Sequence, residues 1–186
     1  MDTVLPYDTA FKECRDLFRK KFDDYGASWR VMRPSSITDQ IFIKAQRIRS
    51  IQEQGEQLVD EGIRGEFVGI VNYGIMGLVQ LEHGYAQEPE DDPRKMMEWY
   101  QEYADRAKAL MLRKNHDYGE AWRSMRISSL TDIILQKVYR TKHIEDNRGK
   151  VSVSEGIDAN YMDMVNYALF AIIRIDEGAP QGRNER

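Results

Sequence analysis

One stretch of this chain is written twice. The segment from Asp24-Tyr25-Gly26-Ala27-Ser28-Trp29-Arg30 to Arg47 returns 93 residues later, from Asp117-Tyr118-Gly119-Glu120-Ala121-Trp122-Arg123 to Arg140, with 14 of 24 positions identical. After a one-residue slip, Glu61-Gly62-Ile63 pairs with Glu155-Gly156-Ile157, and Val71-Asn72-Tyr73 pairs with Val165-Asn166-Tyr167. That period is longer than the roughly 20–50 residues of solenoid repeats, so the chain reads as one unit duplicated in tandem. The join falls in the acidic, proline-marked stretch Gln87-Glu88-Pro89-Glu90-Asp91-Asp92-Pro93. It predicts a first repeat over residues 1–86 and a second over 92–180.

Each copy reads as three helices. Tyr7, Ala10, Phe11, Cys14, Leu17 and Phe18 recur at helical spacing. In the second copy the matching helix starts with Asp92 as N-cap and Pro93 in the first turn. The second helix is expected to begin at Ser36, with Asp39 three residues on, and again at Ser129 with Asp132, two capping boxes. The third is expected near Leu58 in one copy, and at Ser152 with Glu155 in the other. Nothing alternates as a strand should. The expected fold is all-α: two three-helix units related by a pseudo-twofold, with adjacent helices antiparallel.

Composition narrows the function. The chain has 186 residues, 41% hydrophobic and 31% charged, and a formal net charge of -4. It is long enough to bury a core and too acidic overall to offer duplex DNA a broad basic field. The longest apolar run, Ala168 to Ile173, is far short of the ~20 residues a membrane helix needs. The N-terminus lacks a secretory pattern, and a single cysteine, Cys14, forms no internal disulfide. A cytoplasmic protein is expected.

Residues with chemical potential cluster late in the second copy. The segment Ile157–Ile175 is apolar on two sides, yet carries Asn160, Asp163 and Tyr167 on one face. A carboxylate there must be paired, neutralised or bound to a metal. Two readings stay open: a ligand for Mg²⁺ or Mn²⁺, and a salt bridge to a neighbouring helix. Lys137 and Arg140, like Lys44 and Arg47, are cations one turn apart and suggest an anion between them. Gly26 and Gly119 are expected to end helices at positive φ. Trp29 and Trp122 are read as core plugs or as platforms for a base. Arg30, Arg33, Arg123 and Arg126 are read as phosphate contacts or solvated loop positions.

The copies also differ. Where the second has Asp158 and Asp163, the first has Arg64 and Gly69, in a helix that also carries Gly62, Gly65, Gly74 and Gly77. So many glycines imply close approach of another helix, with Gly69 inside the contact. They also imply that any carboxylate-dependent site is single and lies in the second copy.

The segments Lys114-Asn115-His116-Asp117-Tyr118-Gly119-Glu120-Ala121-Trp122, Lys137 to Arg140, and Asp163-Met164-Val165-Asn166-Tyr167-Ala168 resemble the helical family called nucleotide modification associated domain, a domain of unknown function. Both halves share the resemblance. More distantly, the third helix is similar to the metal-binding helix of the MazG-like all-α nucleoside triphosphate pyrophosphohydrolases. That similarity implies Mg²⁺-dependent release of pyrophosphate from a nucleotide. It implies that Asp163, with Glu155 or Asp158, holds the metal, that Lys137 and Arg140 meet phosphates, and that Tyr118, Trp122, Asn166 and Tyr167 surround the nucleotide. The alternatives are a nucleotide-binding or assembly module without catalysis, and a structural helical homodimer.

Overall fold

A computed structural model describes residues 3–54 and 62–181. Six long helices carry the fold. The first repeat contributes α1 (Val4–Tyr25), a 3-10 turn (Ser28–Val31), α2 (Pro34–Gln54) and α3 (Ile63–His83). The second contributes α4 (Pro93–Tyr118), a 3-10 turn (Ala121–Ser124), α5 (Ile127–Asp146) and α6 (Ile157–Asp176). Among the described residues the one β pairing is an isolated bridge between Ala27 and Glu90.

The helix starts show which local signals the chain uses. Asp92 caps α4, accepting from the Lys95 backbone N–H, with Pro93 following it. Gly26 and Gly119 end α1 and α4 at φ 67° and 61°, as expected of glycines after a last helical turn. The capping boxes at Ser36 and Ser129 do not form. Helix α2 starts two residues earlier, at Pro34, whose fixed φ suits a first turn. Helix α5 likewise starts at Ile127, after an extended Arg126. Asp39 and Asp132 reach instead across to Lys142 (2.5 Å) and Arg49 (2.8 Å) of the opposite repeat. Ser152 and Glu155 lie before α6, which begins at Ile157 after an extended Gly156. The start expected near Leu58 lies outside the described residues.

Helices α3 and α6 lie against each other at the centre, with α2 on α3 and α5 on α6. Helix α1 also packs on α6, and α4 on α3, so each repeat covers the other's third helix. The buried apolar residues of both repeats form one cluster. Along α3, close approach of α6 is at Gly74 and Gly77. A Cβ on Gly74 would stand 2.5 Å from Val165 Cγ2, and one on Gly77 would stand 2.8 Å from the Tyr161 ring. Gly69 is not in that contact; its neighbour is the Lys44 side chain of its own repeat. Gly62 and Gly65 face open space.

Two reciprocal hydrogen-bond chains tie the repeats. Tyr7 donates to Asn166 Oδ1 (2.7 Å), and Asn166 Nδ2 donates to the Ala107 carbonyl (3.1 Å). Tyr100 donates to Asn72 Oδ1 (2.8 Å), and Asn72 Nδ2 donates to the Cys14 carbonyl (3.0 Å). Each asparagine thus joins the first helix of its own repeat to a tyrosine of the other. All four side chains are buried, so removing one partner strands a polar group at a cost of about 1–3 kcal/mol.

Candidate functional site: paired pockets beneath the Asp-Tyr-Gly turns

After α4 the chain turns at Gly119 and passes Trp122 under the helix end before entering α5. A cavity of about 330 Å³ opens between this turn and α6. Lys114, Asn115 and Tyr118 come from α4, Trp122 from the 3-10 turn, and Asp163, Asn166 and Tyr167 from α6. The structure therefore gathers Asp163, Tyr118, Trp122, Asn166 and Tyr167 at one place. Lys137 reaches the same carboxylate from α5.

The charge state of this pocket is settled internally. Asp163 is 3% exposed. Its Oδ1 accepts from Lys114 Nζ at 2.6 Å, and its Oδ2 lies 2.8 Å from Lys137 Nζ. Burial lowers the Lys114 pKa, and the Asp163 carboxylate more than offsets this, leaving the ammonium raised. The Tyr167 hydroxyl is raised by burial and then by the charge of Asp163. The salt-bridge reading of Asp163 is what forms, with Lys114 as the partner the sequence did not single out. Arg140 is exposed and lines no part of this cavity.

Asp163 pairs with two lysines rather than with a second carboxylate. Glu155 is exposed in the extended stretch before α6. Asp158, about 140° around the helix from Asp163, is exposed beside a different cavity with Glu82 and Arg106. Among the described residues no three metal-binding side chains converge. A lone carboxylate with both oxygens held by lysines does not fit Mg²⁺, which needs oxygen ligands.

Other expected roles change as well. Trp122 stacks on Phe170 at 4.2 Å with rings 5° apart, and the Arg123 guanidinium lies 4.5 Å from its centroid. Two groups that close must take opposite faces, so neither face is left for a base. The Trp122 indole N–H is buried without a partner among the described residues. Asn166 is engaged by Tyr7 and Ala107. Of the arginines read as phosphate contacts, Arg30 is buried, bonded to Glu90 (2.8 Å), the Gly84 carbonyl (2.7 Å) and Gln80. Arg123 is held by Glu120 (3.0 Å) and Glu177 (2.5 Å). Arg33 and Arg126 are exposed.

The first repeat builds the equivalent pocket, and it is larger, about 570 Å³. Lys21, Tyr25, Trp29, Lys44, Gly69, Asn72 and Tyr73 stand where the second repeat has Lys114, Tyr118, Trp122, Lys137, Asp163, Asn166 and Tyr167. Its buried acid is Glu66, one turn earlier, held by Lys44 (3.3 Å) and Arg47 (2.5 Å). In the second copy Asn160 takes that position. Each repeat thus buries a single acid on its third helix, at positions one turn apart. Sequence reasoning that followed Asp163 alone passed over Glu66 and this pocket. The signal was available, because Lys21 precedes Asp24-Tyr25-Gly26 as Lys114 precedes Asp117-Tyr118-Gly119.

Two tyrosines line each pocket, Tyr25 and Tyr73 in the first and Tyr118 and Tyr167 in the second. Burial raises the Tyr25 and Tyr73 hydroxyls, as it does that of Tyr167. Tyr118 is 77% exposed, and Tyr73 and Tyr167 are half-buried. Lys44 Nζ sits 5.8 Å from the Tyr73 ring centroid.

No helix among the described residues is long and apolar enough to cross a membrane. No curated protein and no solved structure matches the chain. The family model described as Nucleotide modification associated domain 1 matches residues 21–81 and again 114–175, each match opening on the lysine of its pocket. With more than half of its length matched, the chain belongs to the Nucleotide modification associated domain 1 family and carries that domain twice in tandem.

Proposed function

We propose that this protein binds nucleotides without hydrolysing them, using the tyrosine-lined pockets beneath its two Asp-Tyr-Gly turns. The observation that carries this reading is the repeated construction. Two tyrosines, a tryptophan, an asparagine fixed by structural bonds and a lysine line the same kind of cavity in both copies; a second lysine, Lys44, lines the first cavity, while its counterpart Lys137 pairs with Asp163. A planar base suits the rings of Tyr25 and Tyr73, or of Tyr118 and Tyr167, because aromatic stacking accepts any base. In the first pocket the ammonium groups of Lys21 and Lys44 then meet the phosphate as point charges. The cavities fall in or near the ~300–1,000 Å³ range of small-molecule sites. A ligand acceptor would also give the stranded Trp122 N–H a partner.

Pyrophosphohydrolysis, the activity implied by the MazG-like resemblance, finds less support. It asks for several carboxylates around a metal, and here each buried acid is single and bridged by two cations. The test is calorimetric titration with a panel of nucleoside mono- and triphosphates, in EDTA and in Mg²⁺, alongside a pyrophosphate-release assay. Binding in EDTA with no pyrophosphate above background is expected. Failure of every nucleotide to bind overturns the reading, and so does metal-dependent release of pyrophosphate.

A further inference from the structure

The duplication supplies an internal control on the two pockets. In the second repeat, Lys114 and Lys137 close on the Asp163 carboxylate, one on each oxygen. In the first repeat the same two lysines, Lys21 and Lys44, border the cavity, but Gly69 stands where Asp163 would. Lys44 still has Glu66 at 3.3 Å. Lys21 makes no ion pair among the described residues and is exposed at the pocket edge. The larger pocket thus keeps the lysine pair and lacks the anion that joins it.

We infer that the first-repeat pocket binds the phosphate of a nucleotide between Lys21 and Lys44, and that Asp163 is the built-in anion that closes the second pocket to phosphate. This rests on the nucleotide reading for the base, and on the lysine comparison alone for the phosphate. The pockets then divide the work. An anion entering the first meets two ammonium groups and a single carboxylate. One entering the second meets lysines already neutralised by a carboxylate it must displace, against a charge-assisted bond stronger than a neutral one. Gly69 also contributes space. A Cβ there would meet Lys44 Cε at 2.7 Å, the mobile end of a flexible side chain. An acid at position 69 is therefore tolerable if Lys44 swings to pair with it, as Lys137 pairs with Asp163.

The substitution Gly69→Asp writes the second repeat's anion into the first. Binding of inorganic phosphate and of a nucleoside monophosphate is measured by calorimetry on the full chain, with thermal melting to confirm folding. Wild type should bind both. Lys21→Ala and Gly69→Asp should each weaken phosphate at least about tenfold, the scale of one charged hydrogen bond. Lys150→Ala, exposed and lining neither pocket, should bind within about threefold of wild type, and Lys114→Ala should weaken phosphate less than Lys21→Ala does. Phosphate binding that depends on Lys21 while every nucleotide is ignored keeps this inference and removes the nucleotide reading. Binding that depends on Lys114 and not on Lys21 overturns the inference and leaves that reading standing. Absence of any phosphate affinity also overturns it. Because Lys21 is exposed, its alanine variant tests the site even if Gly69→Asp fails to fold.

Discussion

At Gly119 the backbone sits at φ 61°, and a Cβ placed there would touch nothing within 4 Å. Gly119→Ala therefore isolates backbone strain from packing. Urea unfolding should show a loss of about 1–3 kcal/mol, the cost of a positive-φ, extended-ψ conformation for a residue with a side chain. This residue was legible from sequence because a helix-ending glycine answers to its own turn. Asp163 was legible only in part. Its place on an apolar helix announced a carboxylate needing a partner, but the partner Lys114 is 49 residues away and is set by how α4 crosses α6. Asp163→Asn keeps the shape and leaves two ammonium groups facing a neutral amide. A loss of about 2–3 kcal/mol is expected in the same assay, below the full cost of a buried unpaired charge because Lys114 still reaches water. An unchanged midpoint would mean that the bridge carries no stability.

Helix α3 shows how one residue type serves two ends on one element. Gly74 and Gly77 let α6 approach, whereas Gly62, Gly65 and Gly69 open onto the first pocket. Gly74→Leu should destabilise by about 1–3 kcal/mol through overpacking. Gly65→Ala has no atom within 4 Å of its new Cβ, so it should be neutral or raise the melting temperature slightly. Equal losses in both would contradict this division. Composition alone showed that the glycines needed a neighbour, but not which neighbour, since both uses look alike in one dimension. The helix starts tell a similar story. Asp92-Pro93 was readable because its cap is local, while Asp39 and Asp132 pair across the repeats and leave the capping to the backbone.

The contact among α2, α5 and α6 is also where pH should act. Thr38 donates to Glu145 Oε1 at 2.7 Å, and the Tyr161 hydroxyl lies 2.6 Å from the same threonine. Burial raises the Glu145 pKa, so the fold favours its protonated form. The stability this lends is full below the ordinary carboxylate value near 4.5 and is lost as pH rises through the raised folded value. Glu145→Gln keeps an acceptor for Thr38 and removes the titration. Its melting temperature should match wild type in acid and equal or exceed it at neutral pH. A variant less stable than wild type at pH 7 would contradict the sign.

Across the whole molecule, the duplication is what made fold and site partly readable together. One repeat predicts the other's elements, and their equivalent positions line equivalent pockets. What the sequence did not show is the exchange between repeats. Tyr7 and Tyr100 serve the opposite repeat's asparagine, so Asn166 reads as a site residue while acting, like Asn72, as a brace. The central claim, that the pockets under the Asp-Tyr-Gly turns hold a nucleotide without metal, has a direct probe in the chain's three tryptophans. Trp29 and Trp122 each line one pocket, whereas Trp99 lines neither and is stacked by His83 at 4.0 Å, with the Arg30 guanidinium between it and Trp29. In ¹⁵N-labelled protein, the three indole N–H signals are followed as a nucleoside monophosphate is added in EDTA. A saturable shift of the Trp29 signal, with Trp99 nearly still, is the predicted result; three indoles unmoved at millimolar ligand would contradict the account.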